Sequence, residues 1–251
     1  MNKQTLCFDF GNTRLKCGRF QQDELKEVLT LKDSNPETIK ELLEKYHPSK
    51  TILSSVIDHN PDVEKILSAE TQFHKLSSAS KLPFTTPVGK PETIGADRLA
   101  LAAAAVYFFN GKNNLVIGLG SCITFNFINK FNSFLGGSIS PGMEMRFKAM
   151  HDYTAMLPLI KPEPLPVGLN FPLIGYDTRT NLLSGVLLGM TTEIDGVINL
   201  YESKFSNFNV LLTGGDAVYF AHLLKNKIFA DPQLIFKGLY AISEYNNETK
   251  L

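Results

Sequence analysis

Cys7-Phe8-Asp9-Phe10-Gly11-Asn12-Thr13-Arg14-Leu15-Lys16 stands near the start of the chain, and a similar apolar run with a glycine turn returns at Leu115-Val116-Ile117-Gly118-Leu119-Gly120-Ser121, followed by Cys122-Ile123-Thr124. Two such turns in one chain suggest a duplicated device for gripping phosphate. In the first, a short strand ends in Asp9, a carboxylate able to hold Mg²⁺. Gly11 has no Cβ, so backbone N–H groups there can approach phosphate oxygens closely. Asn12, Thr13 and Lys16 add a neutral donor, a hydroxyl and a movable positive charge. The same residues also suit an ordinary hairpin, because Gly-Asn favours turns and Asp is common at strand ends.

Outward from the first turn, Thr5–Phe10, Lys16–Phe20 and Leu25–Leu31 read as three consecutive strands, and Pro36–Tyr46 has helical spacing with proline near its first position. Thr51–Val56 reads as a buried strand, Asp62–Leu67 as a short helix and Gln72–Leu76 as another strand. Lys81–Thr93 is a proline-punctuated loop, and a helix follows from about Ala96. The second half repeats the order with strands at Asn114–Ile117, Cys122–Ile128 and Ser133–Ile139. Helices are expected at Met143–Met150, Thr178–Phe205, Ala217–Leu224 and Gly238–Tyr245, with strands at Asn209–Thr213 and Leu234–Phe236. Leu157–Pro172 reads as a loop with interleaved apolar residues. Three strands followed by alternating helices and strands, twice over, imply two α/β lobes with a cleft between them, residues 1–113 and 114–251.

Size and charge are compatible with that division. The 251 residues, 43% of them hydrophobic, are enough for one large or two modest cores. The 25 basic and 25 acidic side chains cancel, which argues against a general polyanion binder such as a nucleic-acid protein. Cys7, Cys17 and Cys122 form no C-x-x-C pair and fit a reducing cytoplasm. No secretory leader is apparent, and the apolar run Leu99–Phe109 is too short to span a bilayer, so a cytoplasmic protein without a membrane partner is expected. The five histidines are scattered without metal-ligand spacing, and Phe108, Phe109, Phe125 and Phe127 read as core.

Three more segments carry chemistry. Thr93-Ile94-Gly95-Ala96-Asp97-Arg98 lies where the proline-rich loop meets an alanine-rich helix, and there Asp97 and Arg98 offer a base and a carboxylate-binding fork beside unpaired helix N–H groups. Taken alone, the segment more readily suits a plain first helical turn, with Arg98 paired to a surface acid. Gly136-Gly137-Ser138-Ile139-Ser140-Pro141-Gly142 closes a strand, and Thr213-Gly214-Gly215-Asp216-Ala217 links a strand to a helix. Paired glycines there suit either close approach of a nucleotide or a tight turn.

In order along nearly the whole chain, D-F-G-N-T-x-x-K, G-A-D-R, G-L-G-S-C-I-T, G-G-S-I-S-P-G, the stretch around Thr178 and T-G-G-D-A resemble the type III pantothenate kinases. That family belongs to the superfamily of acetate and sugar kinases, Hsp70 and actin, built of duplicated ribonuclease H-like lobes. The resemblance implies ATP-dependent phosphorylation of pantothenate to 4′-phosphopantothenate, the first step towards coenzyme A. By similarity, Asp9 would hold Mg²⁺ and, with Asn12, Thr13 and Lys16, the ATP phosphates. Asp97 matches the family's general base, while Gly95 and Arg98 match the pantothenate site. Thr178, in Ile174-Gly175-Tyr176-Asp177-Thr178, matches a threonine that reaches pantothenate on the partner subunit, which implies a homodimer. Gly120, Ser121 and Thr124 belong to the second phosphate motif, and Gly214 and Gly215 to the adenosine motif.

The chain departs from the family in two places. The second phosphate motif usually reads D-x-G-T, its aspartate near a required monovalent cation, K⁺ or NH₄⁺, but Gly118 and Ser121 stand at the acid and threonine positions. Loss of that carboxylate implies altered cation dependence, a substitute acid or an impaired reaction. Val88 stands near the place of a tyrosine often found before G-A-D-R. The alternatives are therefore a catalytically impaired regulatory or accessory protein on the same scaffold, or a kinase for another small alcohol.

Overall fold

Strand Gln4–Phe10 (β1) alternates its side chains, and the alternation sorts one unit of the structure into two layers. The structure is a computed structural model describing residues 3–163 and 171–247. Leu6, Phe8 and Phe10 join Cys17 and Leu53 in a core with Ile39, Leu42 and Leu43 of helix Pro36–Tyr46 (α1) and Val63 and Leu67 of helix Pro61–Glu70 (α2). Cys7 and Asp9 therefore point to the opposite face. Both helices begin with proline at a first-turn position, where its missing N–H costs nothing.

The strands Leu15–Gln21 (β2), Glu24–Leu31 (β3), Lys50–Ser55 (β4) and Gln72–Lys75 (β5) complete a sheet ordered β3-β2-β1-β4-β5. The first three strands form an antiparallel meander, and β4 and β5 run parallel to β1. The opposite face is covered by helices Ala96–Phe108 (α3) and Leu234–Asn247 (α7), which pack on each other, α7 also against β1 and β4 and α3 against β4.

A second five-stranded sheet repeats this order. Its strands are Asn113–Leu119 (β6), Cys122–Ile128 (β7), Phe134–Pro141 (β8), Phe208–Thr213 (β9) and Phe229–Ala230 (β10), arranged β10-β9-β6-β7-β8. β6 pairs antiparallel with β7 and parallel with β9, as β1 does with β2 and β4. Helices Met143–Asp152 (α4), Thr178–Glu202 (α5) and Ala217–Phe220 (α6) complete this unit, whose core joins Leu115, Ile117, Phe125 and Phe127 to Leu187, Met190, Ile194 and Ile198 of α5. The duplicated α/β architecture expected from the sequence is thus present.

The two compact units interleave along the chain. Met1–Gly111, Lys130–Leu135 and Gln233–Leu251 form one, and Lys112–Asn129 with Gly136–Pro232 form the other. A cut at residue 113 differs from this chiefly at the C-terminus. Leu234–Phe236, expected as a strand, is the first turn of α7, and this helix belongs to the first unit. Phe236, Leu239 and Ile242 recur every three residues along one side of this helix and are buried, as is Leu234. Three apolar residues alone do not separate a strand from a buried helix. The edge strand is instead the two-residue β10, and the helix expected over Ala217–Leu224 stops at Phe220. In the Lys81–Thr93 loop only Pro91–Thr93 is a 3₁₀ turn. The loop is pinned where Thr85 N–H donates to Asn132 and Phe134 N–H donates to Thr85. The part of the Leu157–Pro172 loop from 164 to 170 lies outside the described residues.

Candidate active site

In the first unit, β-sheet register lines up three side chains. Asp9, penultimate in β1, stands opposite Lys16 of β2 and opposite Ser54 of β4. Directly paired residues share a face, so Lys16, Asp9 and Ser54 form one row on the side covered by α3 and α7. Beyond the row, Gly11 N–H donates to the Arg14 carbonyl at 3.2 Å, closing a turn that leaves Asn12 and Thr13 exposed.

Asp97 enters from the first turn of α3. Gly95 caps this helix, its carbonyl accepting from Arg98 N–H at 3.0 Å and Leu99 N–H at 3.1 Å. The Asp97 carboxylate folds back over Gly95 so tightly that a Cβ there would lie 2.5 Å from its Oδ1. Burial pushes the Asp97 carboxyl above the usual carboxylate range, although the Arg98 N–H and guanidinium and its own N–H hold the anion. Asp9 is pushed up to about 7, first by burial and then by the negative charge of Asp97, with Lys16 pulling the other way. A buried carboxylate that feels the charge of a second one, beside a lysine, makes a site built for a cation or a proton. The Arg98 guanidinium lies over the Phe134 ring, 5.6 Å from its centroid, and Phe134 is steadied by Phe84 edge-on at 6.2 Å.

In the second unit, three glycine-bearing turns meet at Leu119–Ser121. Gly214, at φ +101°, comes so close to this turn that a Cβ would lie 2.1 Å from the Leu119 carbonyl oxygen. A Cβ at Gly142 would lie 2.1 Å from the Gly120 carbonyl oxygen, and Gly142 N–H donates to Ser121 at 3.1 Å. Asp216 N–H donates to Leu119 at 3.2 Å, drawing Gly214 and Gly215 against the same turn. Glu193 of α5 takes hydrogen bonds from both Ser140 and Arg146, and so braces the Ser140–Gly142 segment. Thr124 is buried and its hydroxyl accepts from Asn126 at 3.1 Å.

The register of the second sheet explains what Gly118 replaces. Gly118 is penultimate in β6 and stands between Thr124 of β7 and Thr213 of β9, as Asp9 stands between Lys16 and Ser54. The row that carries a carboxylate and an ammonium in one unit carries two hydroxyls in the other.

Asp9, Lys16, Gly95, Asp97 and Arg98 are thus placed in one unit, with Asn12 and Thr13 on its exposed turn. Gly120, Ser121, Gly214 and Gly215 come together in the other, next to Thr124. Thr178 is not brought to that cluster by these contacts. It is exposed at the first residue of α5, behind a capping box in which Asp177 accepts from Thr180 N–H at 2.7 Å. Sequence reasoning missed Ser54, the place of Thr213 beside Gly118, Phe134 and Glu193. A hydroxyl closing an apolar strand run is a weak signal for the first two; nothing local marks the others, whose partners are distant in sequence.

The chain is also similar to known proteins over nearly its whole length. The type III pantothenate kinase family profile matches residues 5–200. A type III pantothenate kinase of Christiangramia forsetii is 41% identical over 245 residues, covering 96% of this chain and 98% of its own. Another, from Cytophaga hutchinsonii, is 40% identical over 241 residues, covering 96% and 99%. Among solved structures, a Campylobacter jejuni protein named for the Baf transcriptional-activator family superposes with a TM-score of 0.59 at 23% identity, over 97% of this chain and 99% of its own. The 2-hydroxyisocaproyl-CoA dehydratase activator of Clostridium difficile, solved with bound ADPNP, has a TM-score of 0.51 at 14% identity, over 100% and 97%. At such identities the structural likeness speaks for the fold alone.

Proposed function

Since the chain belongs to the type III pantothenate kinase family, and so uses ATP and a divalent metal to phosphorylate pantothenate on the way to coenzyme A, we propose that Asp97 is its general base and that Asp9 holds the metal as Mg²⁺. The observation that carries this reading is that Asp9, in the strand row with Lys16, is buried and feels the negative charge of Asp97 from the first turn of α3. The donor set fits the ion, because Mg²⁺ takes one or two carboxylates and completes its shell with phosphate oxygens and water.

When bound, such a cation supplies positive charge for the phosphates. Asp97, held over Gly95 by helix N–H groups, takes the proton of the pantothenate hydroxyl. Its raised pKa suits a base that must work near neutral pH. Lys16 neutralises charge on the transferring phosphoryl group, and the exposed turn at Asn12 and Thr13 offers donors to the phosphates. Arg98, fixed over Phe134, presents a planar fork to the carboxylate of pantothenate, while Gly95 lets the ligand approach the backbone. Gly120, Ser121 and Thr124 are assigned to the ATP phosphates, and Gly214 and Gly215 to the adenosine.

The row at Gly118 holds hydroxyls where a cation-binding carboxylate is usual in the family, so we assign this chain a weak dependence on K⁺ or NH₄⁺. A coupled assay of ADP release, with and without pantothenate and across both ions, tests this and the activity together. Pantothenate-dependent release that changes less than about threefold with either ion is expected. A steep requirement for K⁺ would remove the role given to Gly118, and no release under any condition would favour the accessory-protein reading.

We also assign a homodimer with Thr178 against the partner's pantothenate. Tyr153, Met156, Leu173, Ile174 and Tyr176 are 82–89% exposed, and the last three immediately precede Thr178. Large apolar side chains exposed to that degree at neighbouring chain positions, as at Leu173 and Ile174, are unusual on a monomer. Analytical ultracentrifugation should give twice the 27.9 kDa chain mass, and the double variant Leu173→Asp/Tyr176→Asp should sediment as a monomer with a raised KM for pantothenate. A monomeric wild type would overturn the assignment. The three free cysteines, two of them buried, suit a reducing compartment, and on that ground we assign the protein to the cytoplasm. No helix among the described residues is long and apolar enough to cross a membrane.

A further inference from the structure

Ser54 is fully buried, and its hydroxyl meets no hydrogen-bonding partner among the described residues. For the fold alone this is a loss, since alanine would fill the position without an unsatisfied polar atom. Its neighbour Ser55 differs, donating to the Ile57 carbonyl at 2.9 Å and lying 3.2 Å from His59 Nδ1. The register with Asp9 puts the Ser54 hydroxyl on the face where Asp9 and Lys16 stand and against which α3 packs.

The two neighbours of Asp9 in this row have opposite chemistry. Lys16 carries only donors and a positive charge, so it can accept nothing from water on a cation. Ser54 carries two lone pairs. A divalent cation such as Mg²⁺ gives up its water reluctantly and keeps several molecules, whose polarised O–H groups need acceptors. We propose that Ser54 is a positioning residue for the metal–nucleotide, its hydroxyl oxygen accepting a hydrogen bond from a water on the cation that Asp9 holds. This rests on the assignment of the metal to Asp9.

The test measures Mn²⁺ binding by electron paramagnetic resonance in the presence of ADP, for wild type, Ser54→Ala, Ser54→Thr and Asp9→Asn. Melting temperature and pantothenate affinity are followed in parallel. Ser54→Ala should weaken Mn²⁺–ADP binding about 3- to 10-fold, leave pantothenate affinity unchanged and melt at or above the wild-type temperature, because an unsatisfied hydroxyl is gone. Ser54→Thr, which keeps the oxygen, should restore binding. Wild-type Mn²⁺–ADP affinity in Ser54→Ala, alongside a clear loss in Asp9→Asn, would overturn the role of Ser54 alone. Wild-type affinity in Asp9→Asn would overturn the metal assignment beneath it. A fall in melting temperature and pantothenate affinity together in Ser54→Ala would reduce Ser54 to a packing role.

Discussion

Asp97→Asn should lower kcat by about a hundred- to ten-thousand-fold, the range usual for loss of a positioned general base, while pantothenate still binds. The amide keeps the size of the carboxylate and can still lie over Gly95 and face the N–H groups of the α3 first turn. It cannot take a proton. In the wild type, burial holds the Asp97 carboxyl above its ordinary pKa, so the acidic limb of the kcat–pH profile should lie above the normal carboxylate range, because the ionised form is the base. Steady-state kinetics across pH and calorimetric titration with pantothenate make the measurement. A variant retaining turnover within about tenfold of wild type would remove Asp97 as the base, since base catalysis contributes more than that.

Asp9→Asn should also abolish turnover, and it should do so while making the ligand-free protein more stable. Folding raises the Asp9 pKa from 3.8 to about 7, a shift corresponding to roughly 4 kcal/mol as an upper limit. The sign follows from linkage. Because the folded pKa is the higher one, folding favours the protonated form. The stability this contributes is complete below the unfolded pKa and is lost as pH rises through about 7. Asparagine is neutral throughout, so wild type and variant should melt alike near pH 4 and diverge towards pH 8, with the variant higher. Parallel melting curves across that interval would show that Asp9 carries no such strain. Asp97, raised in the same direction by burial, adds to the wild-type trend. Both carboxylates are held at a cost to the folded chain, which is the physical signature expected of groups kept for a cation and a proton.

Much of this site was legible along the chain because its parts are local. The Asp9–Lys16 hairpin needs only a strand, a turn closed by Gly11 and a returning strand, and the register then sets Lys16 beside Asp9. The cap at Gly95 and the burial of Ala100 to Ala105 likewise follow from a contiguous segment. The absent carboxylate at Gly118 could be read from the motif, but its surroundings could not. Thr124 lies six residues away, whereas Thr213 arrives from a strand formed much later in the chain. The misreading of Leu234–Phe236 has the same origin: a short apolar run takes its conformation from what it packs against, and here that is another helix and the sheet of the first unit.

The amino-acid order by itself determined the two α/β units, the phosphate turns and the Gly95–Asp97–Arg98 helix start, because strand alternation, glycine turns and helix caps act within a few residues. Only the tertiary structure decided that Ser54 stands beside Asp9, that Asp97 raises the pKa of Asp9, that Phe134 underlies Arg98, and that the C-terminal helix belongs with the first sheet. Those relations depend on parallel pairing and long-range burial. Their free energy appears only once distant segments are brought together and water is excluded.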